Sequence, residues 1–209
     1  MMFIKALFIT TLAPLGIALA TTARSLLLPC STISGTPCIC PFGTDYSESV
    51  TVALIGATAT NVEAVTNDFF NPSWTGLELW SVQGPDNFPG LSIRDMNIST
   101  PVGTYVFSQR LTFWFVFPDG SFEQRYEQRG IIPYLSSNGS FAGNWVTLKG
   151  SRISENETLV QFSNYACDTG HPLDFAAVHG SSLTNATTIL EVAGLIHGVS
   201  TDSISAQSF

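Results

Sequence analysis

The chain is 209 residues long, 44% hydrophobic and only 11% charged, with 8 basic against 16 acidic side chains and a formal net charge of −8. That length suffices for one domain with a substantial core. The acid excess excludes nucleic acid and anionic membrane as natural partners, because both are recognised through clustered Lys and Arg.

The chain begins with a targeting pattern. Met1 to Lys5 is a short basic start, Ala6 to Leu19 is apolar, and Ala18-Leu19-Ala20 offers a small-x-small cleavage site before Thr21. The apolar run falls short of the roughly 20 residues a membrane span needs. The polar end, Val199 to Phe209, carries no lipid-anchor signal. The sequence therefore predicts a signal peptide over 1–20, a secreted, extracellular protein and no stable membrane anchor. Sequons at Asn97, Asn138, Asn156 and Asn185 predict exposed, glycosylated positions and a eukaryotic host. Cys30, Cys38, Cys40 and Cys167 are an even set in a secretory chain and are expected in disulfides. Three lie in a Ser-, Thr- and Pro-rich irregular leader over 21–47, so Cys167 is expected to fasten that leader to the body. Which cysteines pair stays open. Cys38-Ile39-Cys40 lacks a second half, so no metal is expected there.

From Glu48 to Thr58 the chain is β-branched and extended. Thr60 to Phe70 follows with Val62, Val65 and Phe69 at helical spacing, closed by Pro72. A short strand, Leu77 to Gln83, runs into the Gly84–Gly90 turn, and Leu91 to Ile98 is the next strand. If Asn97 faces solvent, alternation sends Arg94 and Met96 inward. A buried arginine needs an anionic partner, structural or ligand.

Thr104 to Arg129 reads as one antiparallel hairpin around Pro118-Asp119-Gly120. Its predicted inner face is Tyr105, Phe107, Gln109, Leu111, Phe113, Phe115 and Phe117 on the first strand, and Phe122, Gln124, Tyr126 and Gln128 on the second. Three glutamines among aromatics suit a pocket wall, since unpaired buried amides each cost about 1–3 kcal/mol. Trp114 falls on the opposite face and, beside Val116, would mark a partner surface. Phe141 to Ile153 and Glu157 to Ala166 are two further strands. Pro172 to His197 contains a long helix whose inward stripe is predicted as Phe175, Val178, Ser182, Ala186, Ile189, Leu190 and Ala193. Residues 199–209 read as a flexible tail.

Strand, helical region, antiparallel strands and a long last helix is the element order of the helix-grip α+β fold, a curved antiparallel sheet wrapped around a C-terminal helix. In this order the chain resembles the START-like superfamily, which includes birch-pollen-allergen-like proteins, polyketide cyclase-like proteins and lipid-transfer domains. Val50 to Phe70 is similar to its first strand and short helices, Gly90-Leu91-Ser92-Ile93-Arg94 to a Gly-x-x-x-Arg strand entry, and Asp174 to Gly198 to its closing helix. The resemblance covers about 48–198. The leader, signal peptide and sequons depart from typical members, so the chain looks like a secreted fungal offshoot. A lipocalin-like barrel fits less well: Trp74-Thr75-Gly76 has the wrong order for Gly-x-Trp, and a helix directly follows the first strand.

The resemblance implies a cavity between sheet and helix, binding a small apolar or amphipathic molecule without a cofactor. The expected lining is Arg94, Gln109, Phe113, Gln124, Tyr126 and Trp145, with Arg94 meeting a carboxylate or enolate and the amides orienting polar atoms. Two alternatives stand beside this. A cyclase- or dehydratase-type enzyme would use Arg94, Tyr126 and His179 as its acid–base candidates. An extracellular, host-directed interaction protein would have a closed core. Asp168-Thr169-Gly170 copies the aspartic-protease triplet only once, where two are needed, and reads as the turn before the last helix, with Asp168 or Asp174 as its cap. His171 and Asp174 lack further metal ligands, and no Gly-x-Ser-x-Gly elbow exists.

Overall fold

A computed structural model describes residues 28–31, 33–34, 37–100, 103–134, 139–170 and 174–208. The expected signal peptide, Asn138, His171 and Pro172 lie outside the described residues.

The first strand, β1 (Asp45–Ile55), alternates cleanly and buries Ser47, Ser49, Thr51, Ala53 and Ile55. Helix α1 (Ala59–Thr66) follows, capped by Thr58, whose hydroxyl accepts from the Asn61 amide at 3.2 Å. It ends earlier than its periodicity suggested. Pro72 does not close it but opens a separate 3-10 turn (Pro72–Thr75), where a missing N–H costs nothing.

Strands β2 (Glu78–Gln83), β3 (Ile93–Thr100), β4 (Gly103–Val116), β5 (Phe122–Gln128), β6 (Ile132–Pro133), β7 (Ser140–Ser154) and β8 (Glu157–Thr169) then build an antiparallel sheet. With β9 (Ile204–Ser208) the order is β2-β3-β4-β5-β7-β8-β1-β9, β6 pairing with β7. Asp168 therefore belongs to β8 rather than to a turn, and the cap of the last helix is Asp174, whose carboxylate accepts from the Ala177 amide at 2.9 Å.

Helix α2 (Phe175–Val192) lies against the inner face of the sheet and stops where Gly194 takes a positive φ of 70°. Its buried stripe is Phe175, His179, Ser182, Leu183, Ala186 and Leu190. The expected Val178 and Ile189 are each 41% exposed, and Ala193 is exposed. The true stripe is rotated by about one residue, which brings a histidine into the interior.

The predicted flexible tail is also corrected. After α2 the chain returns over β1, where the His197 and Gly198 amides both donate to Gly56 O at 2.7 and 2.8 Å. A Cβ at Gly56 would lie 2.3 Å from Gly198 O, so this crossing requires glycine. Beyond it, β9 pairs with β1 as an edge strand, and Thr51 and Ser205 share a side-chain hydrogen bond of 2.8 Å.

The cysteines resolve into Cys30–Cys38 and Cys40–Cys167. The second bond ties the leader to β8, as expected for Cys167. Sequon asparagine Asn185 is exposed, whereas Asn97 and Asn156 are half-buried.

The apolar interior comes in two pieces. One unites Ile55, Val62, Phe69, Leu111, Phe122, Leu148, Phe162, Leu183 and Leu190 under both helices. The other gathers Phe107, Ile132, Phe141, Ala166 and Phe175 at the start of α2. Packing is not continuous between them.

Candidate functional site

The gap between the two apolar clusters is a cavity of about 310 Å³ bounded by β3, β4, β5, β7, β8 and the first turns of α2. Met96, Phe107, Val146, Phe162 and Phe175 belong to its apolar wall. This size and composition match ligand pockets, which are mainly apolar with a few placed polar groups. Three of the six predicted lining residues are here: Arg94, Gln109 and Tyr126.

Arg94 is inward on β3, as the outward reading of Asn97 required, and is 4% exposed. Its Nε and Nη2 donate to Gln109 Oε1 at 3.0 and 2.8 Å, and Nη1 donates to Phe69 O at 2.9 Å. The guanidinium carbon sits 4.4 Å from the Phe69 ring centre and 4.8 Å from that of Tyr126. The expected carboxylate partner is missing. Among the described residues the ion pairs are Arg110–Glu127 and Arg125–Glu123, both on the outer face, and Arg94 is in neither. Burial pulls the Arg94 pKa below its usual range, while the Tyr126 phenol and Asp68 favour the charged form. An arginine nonetheless stays protonated. Burial likewise raises the Tyr126 pKa, and Arg94 opposes that rise. A cation held by a neutral amide, a carbonyl and two rings is oriented but not neutralised.

The other three predicted residues lie elsewhere. Phe113 is on the outer face, 38% exposed, with the Arg125 guanidinium 5.0 Å from its ring centre. The cause is a β-bulge. Leu111 pairs with Tyr126 and Phe113 with Arg125, leaving Thr112 unmatched and reversing the parity of everything after it. Trp114 and Val116 therefore turn inward against the core, whereas Phe115 and Phe117 turn out. The exposed partner surface assigned to Trp114 does not exist; the exposed aromatics of β4 and the turn after it are Phe113, Phe115 and Phe117.

Gln124 is buried but does not line the cavity. It donates to Asn67 O at 3.0 Å, as does Trp114 Nε1 at 2.9 Å, so both side chains anchor the end of α1. Trp145 faces outward and stacks on Tyr165 at 5.5 Å. The Tyr165 hydroxyl donates to Ser31 O, placing the leader on this side of the sheet.

Residues that the hairpin face could not reveal complete the cavity. Asn144 lines it from β7, one position from the Trp145 chosen by sequence, and Ser182 and His179 line it from α2. His179 stacks on Phe162 at 4.3 Å with an interplanar angle of 8°. Burial pushes its pKa down to about 4, so the imidazole is neutral at neutral pH.

The unfolded chain binds a proton at His179 near pH 6.5 and the folded chain only near pH 4, so its contribution is intact above 6.5 and is lost as pH falls through that window. The full difference is about 3 kcal/mol. Urea unfolding at pH 7 and pH 4.5 should show His179→Phe losing less stability on acidification than the parent. Equal losses would contradict the buried, neutral imidazole.

All four cysteines are consumed in disulfides, so the cluster of Cys30, Cys40 and Cys167 sulfurs is a covalent staple and offers no free thiolate. No helix among the described residues is long and apolar enough to cross a membrane.

The family model described as START domain matches residues 46–207. No curated protein matches the chain. Among solved structures, the protein XoxI from Bacillus cereus is similar at 17% identity and a TM-score of 0.49, covering 70% of this chain and 97% of its own. The Zhui aromatase/cyclase from Streptomyces sp. R1128 is similar at 11% identity and a TM-score of 0.46, covering 72% and 90%. Ara h 8.0201 is similar at 10% identity and a TM-score of 0.48, covering 72% and 99%.

Proposed function

We propose a function on one premise: the chain belongs to the START-domain family. It is a secreted binder of a small amphipathic molecule, held in the cavity between the sheet and α2. The observation that carries this reading is Arg94, a desolvated guanidinium with no carboxylate within ion-pair distance among the described residues, on the wall of a mainly apolar cavity. An anionic head group, a carboxylate or enolate, would supply the missing charge, oriented by Gln109 and Tyr126. The apolar body would lie along Met96, Phe107, Val146, Phe162 and Phe175. Two disulfides support the secretory route that Met1–Ala20 and the sequons suggest.

The cyclase- or dehydratase-type alternative would draw on Arg94, Tyr126 and His179, which all line the cavity. Acid–base catalysis favours groups that titrate near the working pH. His179 is pushed well below that range and Tyr126 is raised, so binding is favoured over chemistry.

The test is displacement of anilinonaphthalene sulfonate by dodecanoate. Saturable, one-to-one displacement of bound dye is expected, with dodecanol competing far less well than the carboxylate. Equal competition by acid and alcohol would remove Arg94 from the site. Failure of the protein to bind either dye or acid would remove the cavity's ligand role.

A further inference from the structure

A second polar region adjoins the cavity, away from Arg94, and its side chains are underused. Among the described residues seven buried side-chain polar atoms lack a hydrogen-bond partner, and six of them fall in one patch. These are Asn144 Oδ1, Gln128 Oε1, both amide atoms of Asn164, Ser49 Oγ and His179 Nδ1.

Pairing in the sheet explains why they are neighbours. Ser49 is opposite Asn164 across β1 and β8, and Asn164 is opposite Val146 across β8 and β7. Asn144 is two positions from Val146 on the same inner face, diagonal to Asn164. His179 comes down from α2 onto Phe162, itself two positions from Asn164. Asn144 is 4%, Asn164 2% and His179 6% exposed, so bulk water does not serve them. Buried polar groups are nearly always paired, and a local concentration of exceptions marks a place where a ligand or a water supplies the partner. Asn144 and His179 are the members of the patch that line the cavity.

The patch is separated from Arg94 across the sheet. Arg94 pairs with Gln109, and Gln109 with Gln128. Glu127 pairs with Trp145, which puts Asn144 next in line beside Gln128. Three strand spacings at about 4.8 Å separate the Arg94 and Asn144 backbones by roughly 14 Å. The two ends differ in chemistry. Arg94 carries positive charge and only donates, whereas an amide oxygen and one nitrogen of a neutral imidazole accept. His179 is held in that neutral, accepting form by its burial.

We propose that the cavity takes a bipolar ligand: an anion at the Arg94 end and a hydroxyl or other hydrogen-bond donor at the Asn144–His179 end, joined by an apolar body. This ligand class presupposes that the cavity is a ligand site, as proposed above. The donor satisfies atoms that the fold leaves unpaired, and an unsubstituted chain leaves them so. Discrimination against such a chain follows from those unpaired groups rather than from shape.

The test compares dodecanoate with ω-hydroxydodecanoate in displacing anilinonaphthalene sulfonate from the full, disulfide-bonded chain. The hydroxylated acid is expected to bind the parent about tenfold tighter. The ratio of the two affinities is expected to fall towards one in Asn144→Leu and in His179→Phe. Either variant suffices should the other fail to fold. Equal affinities of the two acids in the parent would overturn the bipolar assignment, because water would then be serving the patch, while leaving the cavity a ligand site. A preference that survives both substitutions would place the hydroxyl elsewhere and also overturn it. Absence of dye and acid binding altogether would defeat the ligand site and this ligand class with it.

Discussion

Arg94→Met is expected to weaken dodecanoate binding by on the order of a hundredfold, because removing one member of a buried charge pair costs about 2–5 kcal/mol. Stability should move much less. The substitution leaves Gln109 Oε1 and Phe69 O without the donors they now have, which destabilises. It also removes a charge buried at 4% exposure that, among the described residues, has no carboxylate within ion-pair distance, which stabilises. Those terms oppose, and a net change within about 2 kcal/mol is expected. Calorimetric titration with dodecanoate alongside urea unfolding separates the two effects. A large loss of stability with unchanged affinity would make Arg94 a structural residue, its charge serving the Phe69 carbonyl and nothing else.

The second large effect is expected from the staples. Cys40–Cys167 closes a sequence separation of 127 residues and Cys30–Cys38 one of 8. Restriction of the unfolded chain grows with loop length, so the long bond is worth about 4–5 kcal/mol and the short one about 2–3 kcal/mol. Urea unfolding of Cys40→Ala/Cys167→Ala and of Cys30→Ala/Cys38→Ala should preserve that order. The long-range pair also holds the leader against Tyr165, whose hydroxyl donates to Ser31 O. Losing it should therefore quench or shift the emission of Trp145, which stacks on Tyr165. If the short-loop variant were the weaker of the two, the leader would not be held by its link to β8.

Sequence reasoning carried the element order, the inward placement of Arg94 and the fastening role of Cys167, because each rests on a pattern with a direct physical cause. Arg94 is the clearest case: reading the Asn97 sequon as outward sets the parity of β3, and three residues away the side chain must point inward. Alternation then failed where an unseen residue intervened. Thr112 adds one position to β4, and nothing in Leu111-Thr112-Phe113 distinguishes a bulge from a regular strand. From that point the aromatic face is reversed, so Phe113 left the site and Trp114 entered the core. On β7 the large ring of Trp145 drew the assignment to the wrong parity, while Asn144, adjacent and plain, is the residue on the cavity. Helix α2 erred by one position for a related reason: Val178 and Ile189 are more hydrophobic than His179, and only the tertiary fit against Phe162 decides which is buried. The polar end of the chain lacked any apolar face to announce a strand. Yet β9 forms there because β1 offers an open edge and its amides need partners. Gln124 shows the same limit from the other side, since an inward amide is equally well explained by a structural carbonyl, here Asn67 O.

The central claim is that the space between the sheet and α2 is a binding site organised by Arg94. A crystal structure of the protein grown with dodecanoate tests it most directly. The carboxylate is expected within hydrogen-bond distance of the Arg94 guanidinium, with the chain running past Phe107 and Phe162 towards Asn144. A cavity closed by side chains, with the acid found only on the exposed stripe of Phe113, Phe115 and Phe117, would contradict it.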